Sequence, residues 1–275
     1  MQLTGLYDIH VHPSPDVKKR KFTDPELAER MRKAGAKGFV IKNHFAETAA
    51  RAALLQSQFP DLVIRGGIAL NRPNGGLNPY AVENCAQMGG RIIWMPTLES
   101  RSYKLKKVPS MGAEEAAKYI TLLDEDGRLL PVLYDIIDIV AKYDLTLATG
   151  HISAREGILL LQAAKARGVK KMIVTHADNP ADFYTLEEQK QCVALGALIE
   201  HCYFNVFNGQ TKAETLAREI TILGPENVVL STDVGQSGSP YSDEALAAFI
   251  EALTQQGISS AAIETMMGKN PEKVI

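Results

Sequence analysis

All six histidines of this 275-residue chain stand at the ends of short apolar segments with the composition of β-strands. The first two end the segment "LYDIHVH", and their spacing of two residues places both imidazoles on one face of a strand. The full set is His10, His12, His44, His151, His176 and His201. Two carboxylates have similar positions, Glu99 in "WMPTLES" and Asp233 in "LSTDVG". Neutral imidazoles and carboxylates are the ligands that zinc and related divalent metals prefer.

The number of these residues, rather than any one of them, indicates a metal site. A single histidine at the end of a strand is usually an ordinary hydrogen-bonded side chain. Several imidazoles and carboxylates crowded into one pocket would lose their hydration, and a bound cation offsets that cost. We therefore predict a divalent-metal site, with zinc as the first candidate, manganese or iron as alternatives, and one or two ions.

The pattern of elements explains how these residues could meet. Apolar runs alternate with amphipathic helical stretches such as "PELAERMRKAG", and eight such units predict an α/β fold, a (β/α)8 TIM barrel of parallel strands. The carboxyl ends of all its strands converge on one face. A doubly wound open sheet is the alternative, but the turn "HVHPSPD" lacks the glycines that a dinucleotide needs. The connection after strand 4, about 98–130, contains the hairpin turn "EDG". We expect a single domain over 1–275.

Composition excludes several classes of function. The formal net charge is −2, so nothing indicates a nucleic acid or an acidic membrane surface as partner. The three cysteines lack CxxC spacing and favour a reducing cytoplasm. We see no signal peptide, and no apolar run approaches the roughly 20 residues that span a bilayer. The expected partner is a small-molecule substrate, and a homo-oligomer is left open.

The strand-end residues resemble the amidohydrolase superfamily of metal-dependent hydrolases, in its TatD-like and small amidohydrolase branches. The resemblance rests on His10 and His12 in "DIHVHPSPD", His151 in "ATGHIS", His176 in "VTHAD" and Asp233 in "STDVG", and it spans the chain. It implies that His10, His12 and Asp233 hold the more buried metal, and His151 and His176 the more exposed one. It also implies a bridging carboxylated lysine or glutamate on strand 4, where Glu99 is the nearest acid.

Further residues are candidates for the substrate or for orienting the ligands. Lys42 and His44 share a face at the end of strand 2; Lys42 is carboxylated, binds a substrate anion, or is solvated on a loop. His201 either touches substrate, orients a ligand or packs in the core, and alternation places Glu200 on the opposite face, as a structural residue.

Two basic segments, "VKKRK" and "SRSYKLKK", follow strands 1 and 4 on the same face. Their residues Arg20, Lys21, Arg101 and Lys104 form either a basic rim for an anionic substrate or ordinary solvated loops.

These features favour a hydrolase that uses a metal-activated water. In this interpretation Asp233 ligates the metal and also transfers a proton from water to the leaving group. The favoured bond is an amide, a cyclic amide or a lactone. Alternatives are a phosphoesterase, a mononuclear decarboxylase on the same scaffold and, outside enzymes, a barrel that stores or senses metal.

Overall fold

The computed structural model describes residues 2–275, which contain nine parallel β-strands. They are β1 (Tyr7–Val11), β2 (Gly38–Ile41), β3 (Val63–Arg65), β4 (Gly67–Ala69), β5 (Ile92–Trp94), β6 (Thr146–Ala148), β7 (Lys171–Val174), β8 (Leu198–Cys202) and β9 (Val228–Ser231). Every strand pairs with its neighbour in sequence except β3 and β4, which are separated by Gly66. The eight predicted strands are therefore confirmed, with the third divided in two.

Thr48 causes this division. Its side-chain oxygen accepts a hydrogen bond from Gly67 N at 2.8 Å, and its own backbone N donates to Gly67 O at 2.9 Å. A Cβ on Gly66 would lie 2.2 Å from Thr48 O, so only glycine allows this close approach. The loop after β2 thus replaces part of the strand ladder with its own hydrogen bonds.

Backbone hydrogen bonds also join the first strand to the last. His12 N donates to Val234 O and Asp233 N donates to His10 O, both at 2.8 Å. The buried Asp8 side chain strengthens this seam by accepting from Thr232 N at 3.0 Å and from Ser242 Oγ at 2.6 Å. The fold is the predicted TIM barrel, and its seam passes directly through three of the predicted metal ligands.

Helices surround the strands, and capping boxes mark several of their starts, as at Thr23 with Glu26 and at Ser153 with Glu156. The helices are α1 (Asp24–Lys33), α2 (Ala49–Gln58), α3 (Pro79–Gln87), α4 (Arg101–Lys107), α5 (Ala113–Ala116), α6 (Val132–Lys142), α7 (Ala154–Ala166), α8 (Leu186–Leu195), α9 (Tyr203–Phe207), α10 (Ala213–Leu223), α11 (Ser242–Gln255), α12 (Ser260–Glu264) and α13 (Asn270–Val274), with π-helical Thr265–Lys269 between the last two. None of the helices within residues 2–275 is long and apolar enough to cross a membrane.

Two apolar layers support the strands. The larger lies between strands and helices, and the smaller fills the barrel with side chains such as Ile9, Val40, Ile92 and Trp94. Because a barrel strand is covered on both sides, its residues are buried on both faces. Polar side chains at the carboxyl ends of the strands therefore lie above a dry apolar floor.

The connection after β5 contains the predicted hairpin, in which Asp124 N donates to Arg128 O at 2.8 Å and Leu130 N to Leu122 O at 2.9 Å. Glu156 of α7 accepts from Leu122 N at 3.0 Å and so attaches the hairpin to the barrel. The basic segment before it forms helix α4, which lies at the mouth of the barrel beside His151.

Candidate metal centre

His10, His12 and Asp233 converge at the mouth of the barrel. The Nε2 atoms of His10 and His12 lie 3.1 and 3.0 Å from the same oxygen, Asp233 Oδ1. Ile9 lines the barrel interior, so strict alternation would turn His10 and His12 outward. A register shift between Asp8 and Val11 instead turns both histidines inward. Thus two strands that meet at the seam supply three potential ligand atoms to one point.

The donor set fits a divalent cation. All three side chains are buried, and His12 Nε2 lacks a hydrogen-bond partner of good geometry among the described residues although Asp233 Oδ1 is close. Ligand atoms about 2.0–2.2 Å from a tetrahedral zinc ion lie a little over 3 Å from one another. The observed separations therefore match a shared cation better than a pair of aligned hydrogen bonds.

Glu200 orients His10 from below, contrary to the expectation that it faces away from the site. Both of its carboxylate oxygens lie 3.1–3.2 Å from His10 Nδ1, and Oε2 also accepts from His176 N at 3.2 Å. Burial would raise the pKa of Glu200, but the charge and hydrogen bond of His10 outweigh it and lower that pKa to about 2. An ionised partner at Nδ1 keeps the ring proton there, so Nε2, which lies near Asp233 Oδ1 and Lys42 Nζ, is the nitrogen with a lone pair for a metal.

His201 has the opposite outcome, because it points out of the barrel toward the helices. Its Nδ1 lies 3.0 Å from Asp178 Oδ1, and its Nε2 lies 3.8 Å from Glu219 Oε2 on α10. Glu200 and His201 are adjacent in β8, and both are buried. Sequence alternation therefore placed Glu200 outside the barrel and His201 inside, the reverse of what the structure shows. Of the three roles left open for His201, the structure favours packing in the core and corrects its assignment to the substrate or to ligand orientation.

The other three histidines surround the central cluster. The His44 ring packs 4.7 Å from that of His12, and His151 packs 4.8 Å from His176. Burial lowers the pKa of both His44 and His151 well below 6.5, so these rings are neutral at pH 7. His44 Nδ1 has a partner in Thr97 Oγ1 at 2.8 Å, whereas His151 Nδ1 has none among residues 2–275.

Asp182 is a partner of His176 that the sequence analysis did not select. One carboxylate oxygen lies 3.0 Å from His176 Nδ1. Burial would lower the pKa of His176, but the charge of Asp182 outweighs it and raises that pKa to about 9. The only signal in the sequence was an acid six residues after the histidine, in "HADNPAD".

Backbone strain is concentrated at the same place. His176 and Asp233 have φ values of 28° and 53°, in the left-handed region that side chains other than glycine seldom adopt. Such conformations cost about 1–3 kcal/mol each and persist where the surroundings impose them. The surrounding structure thus holds the backbone of two predicted ligands in a strained conformation, and this conformation sets the direction of their side chains.

Lys42 is fully buried, which excludes the solvated-loop interpretation. Its Nζ lies 2.9 Å from His10 Nε2 and 5.3 Å from the ring centroid of Trp94. Burial lowers the pKa of this amine, against the attraction of Asp233 and Glu200. Lys42 therefore belongs to the centre as a group in contact with a candidate ligand.

Glu99 and Arg101 do not join the cluster. The Glu99 carboxylate accepts a hydrogen bond from Arg72 N, and Glu99 belongs to none of the groups with metal-ligand spacing found within residues 2–275. The chain turns after β5 so that Thr97, not Glu99, reaches His44. Arg101 begins α4 and does not line the cavity, so Glu99 as ligand or bridge and Arg101 as a substrate contact are both corrected.

A cavity of about 170 Å³ opens above these residues. Its walls include His44, His151, His176 and Asp233 from the centre, and Tyr103, whose ring packs 4.8 Å from that of His151. Basic and amide side chains from the surrounding loops complete the wall: Lys18, Arg20, Lys107, Asn179, Gln210 and Gln236. This volume admits only a small molecule, or the reacting end of a larger one.

We predict that Glu200→Gln weakens metal binding about 10–100-fold, the usual cost of losing an orienting partner of a ligating histidine. The amide keeps the size of the side chain but replaces one acceptor oxygen by a donor. Competition with a chromogenic chelator measures the affinity. Glu219→Gln, an equally buried position that contacts Gln189 outside the barrel, is the matched control. Equal affinity in both variants would contradict the role assigned to Glu200.

Comparisons with known proteins agree with this architecture. The family described as "Family of unknown function (DUF6282)" matches residues 5–200. A comparison with curated protein sequences found no match. Among solved structures, an amidohydrolase from Pseudomonas aeruginosa is 13% identical with a TM-score of 0.67, covering 98% of this chain and 95% of that one.

Two further structures have the same fold. A TatD homolog from Escherichia coli K12 is 15% identical with a TM-score of 0.61, over 100% of this chain and 99% of that one. The 2,6-dihydroxybenzoate decarboxylase from Rhizobium is 14% identical with a TM-score of 0.56, over 100% and 98%. The chain therefore shares the fold of these three structures, and at these identities the likeness is one of fold alone.

Proposed function

Because the chain belongs to the DUF6282 family, whose function is unknown, we propose its function from the site itself: a metal-dependent hydrolase of a small substrate. The observation that carries this proposal is the convergence of His10 Nε2, His12 Nε2 and Asp233 Oδ1 beside a cavity of about 170 Å³. His10, His12 and Asp233 would hold the metal, with His151 and His176 next to them. Zinc suits imidazole and carboxylate donors, and manganese or iron are the alternatives.

A divalent cation bound there would supply a water of lowered pKa and would polarise the substrate carbonyl. The residues of the chain would do the rest. Asp233 uses Oδ1 toward both histidines, so Oδ2 is available to take the proton of the attacking water and return it to the leaving group. Glu200 fixes the His10 ring through Nδ1. The favoured bonds are amides, cyclic amides and lactones.

A mononuclear decarboxylase is the second candidate. It is favoured by the position of Glu99, which leaves no acid from the end of β5 to bridge two ions among the described residues. A decarboxylase also stands among the proteins of the same fold. A single metal position suffices for either reaction, so the substrate decides between them.

Elemental analysis combined with a substrate panel tests the proposal. We expect the purified protein to retain about one divalent ion per chain and to hydrolyse members of a panel of amides, cyclic amides and lactones. Removal of the ion by a chelator should abolish turnover, and zinc should restore it. Undiminished turnover by the metal-free protein would refute the proposal.

Release of CO2 from aromatic carboxylic acids without hydrolysis would favour the decarboxylase, and hydrolysis of phosphoesters alone would favour a phosphoesterase. Retained metal with no turnover would favour storage or sensing.

A further inference from the structure

The wall of the active-site cavity contains an arginine that is buried yet incompletely bonded. The Arg20 side chain is only 4% exposed, although it lies in the loop after β1. Its Nε donates to Asp16 Oδ2 at 2.7 Å, and its Nη2 lies 2.6 Å from the same oxygen. Nη2 is buried and, despite this proximity, makes no hydrogen bond of good geometry within residues 2–275. Arginine side chains are seldom this buried unless paired, and Asp16 is the one partner of Arg20 among the described residues.

Asp16 holds the Arg20 guanidinium in place but accepts from only one of its edges. One carboxylate oxygen faces one edge of the planar group, and no other acceptor among the described residues bonds the guanidinium. A guanidinium fixed by a neighbour loses little rotamer entropy when a ligand binds, and its fork shape suits an oxyanion. Arg20 is thus preorganised as an anion receptor and is not a solvated loop residue.

A second cation reaches the same cavity from helix α4. Lys107 ends α4, and its Nζ lies 5.6 Å from the ring centroid of Tyr103, the residue that packs on His151. Lys18 also lines the cavity. Neither lysine has an acidic partner within 4.0 Å among the described residues, so their charges are available to a ligand.

The one carboxylate among the residues that line the cavity already faces two histidines. Asp233 is the carboxylate in the cavity wall, and its Oδ1 faces His10 and His12. Apart from the three cations, the polar groups in the wall away from the centre are uncharged: the Tyr103 hydroxyl and the amides of Asn179, Gln210 and Gln236. The outer half of the cavity therefore offers cationic and amide donors, and a bound divalent ion would make the local potential more positive.

From this arrangement we infer that the substrate carries an oxyanionic group, a carboxylate or a phosphate, apart from the bond that reacts. Arg20 receives this group, and Lys107 adds a second, more exposed contact. The inference rests on the proposed function for the reacting end of the substrate. It specifies the class of substrate, namely small anionic compounds, and it replaces Arg101 by Lys107 as the basic residue contributed by the segment after β5.

Calorimetric titration of the purified metal-containing protein with malonate and with inorganic phosphate tests the inference. Wild-type protein should bind one of these anions at least ten-fold more tightly than the neutral analogue malonamide. Arg20→Gln should weaken that binding about ten-fold or more, since charge-assisted hydrogen bonds are lost. Lys107→Gln should weaken it about three-fold and reduce its dependence on salt. Lys170→Gln, an exposed lysine beside the start of β7 at the opposite end of the barrel, should bind as wild type.

The comparison of anions identifies the group, because tighter binding of malonate assigns a carboxylate and tighter binding of phosphate assigns a phosphate. Affinities that are unchanged in both Arg20→Gln and Lys107→Gln would overturn the inference, since the anion would then bind the metal alone. Lys107 is exposed, so its variant tests the inference even if loss of the Asp16 pair unfolds the Arg20 variant.

Binding does not require turnover: anion affinity that depends on Arg20 in a protein without hydrolase activity would retain this inference and refute the proposed function. Hydrolysis by a protein whose anion affinity changes in neither Arg20→Gln nor Lys107→Gln would do the reverse.

Discussion

Asp233→Asn is expected to lower turnover by about 10²–10⁴-fold, the range over which a positioned general base contributes to catalysis. Burial would raise the pKa of this carboxyl, but His10 and His12 outweigh it and hold the pKa well below its usual range. Asp233 is therefore ionised at neutral pH and can accept a proton. Asparagine keeps the shape and one ligand oxygen but cannot accept it.

The measurement is kcat on the best substrate of the panel, with metal content determined on the same samples. Reconstitution at saturating zinc separates a lost proton acceptor from weakened metal binding. Asp178→Asn is the matched control, because this buried aspartate pairs with His201 outside the barrel and should leave kcat nearly unchanged. Turnover of Asp233→Asn close to wild type at full metal occupancy would remove Asp233 from the proton transfer.

His12→Ala is expected to abolish metal retention and activity together while the fold survives. The variant removes one of three converging ligand atoms and leaves a small polar space beside His44, whose ring packs 4.7 Å from that of His12. Loss of one ligand leaves two protein donors, too few for the three that catalytic zinc sites normally have. Elemental analysis after gel filtration measures retention, and circular dichroism measures the fold.

His201→Gln is the control for that experiment. This histidine is equally buried and lies near the end of β8, but it faces the helices. It should retain the metal even if its unfolding temperature falls. A His12 variant that keeps its metal, or a His201 variant that loses it, would contradict the assignment of the centre to the inside of the barrel.

The sequence alone was sufficient for the architecture and for much of the cluster. Alternating apolar runs and amphipathic helices specify parallel strands, and parallel strands in a barrel bring their carboxyl ends together. For that physical reason, the positions of His10, His12, His151, His176 and Asp233 along the chain predicted their meeting in space. The insert with its hairpin also followed from local turn chemistry.

Tertiary structure decided which side each polar residue faces and which partner it finds. In β8 both Glu200 and His201 are buried, because a barrel strand is covered on both faces, so alternation cannot tell the inside from the outside. In β1 the register shift turns His10 and His12 toward the inside of the barrel, whereas strict alternation from Ile9 would place both outside. Asp182 reaches the centre through long-range packing that local pattern does not encode. Lys42 was among the predicted residues, but only the tertiary structure shows that it is buried against His10. Their roles depend on which neighbours the closed barrel brings within 3 Å, and this is a property of the fold rather than of any segment of the chain.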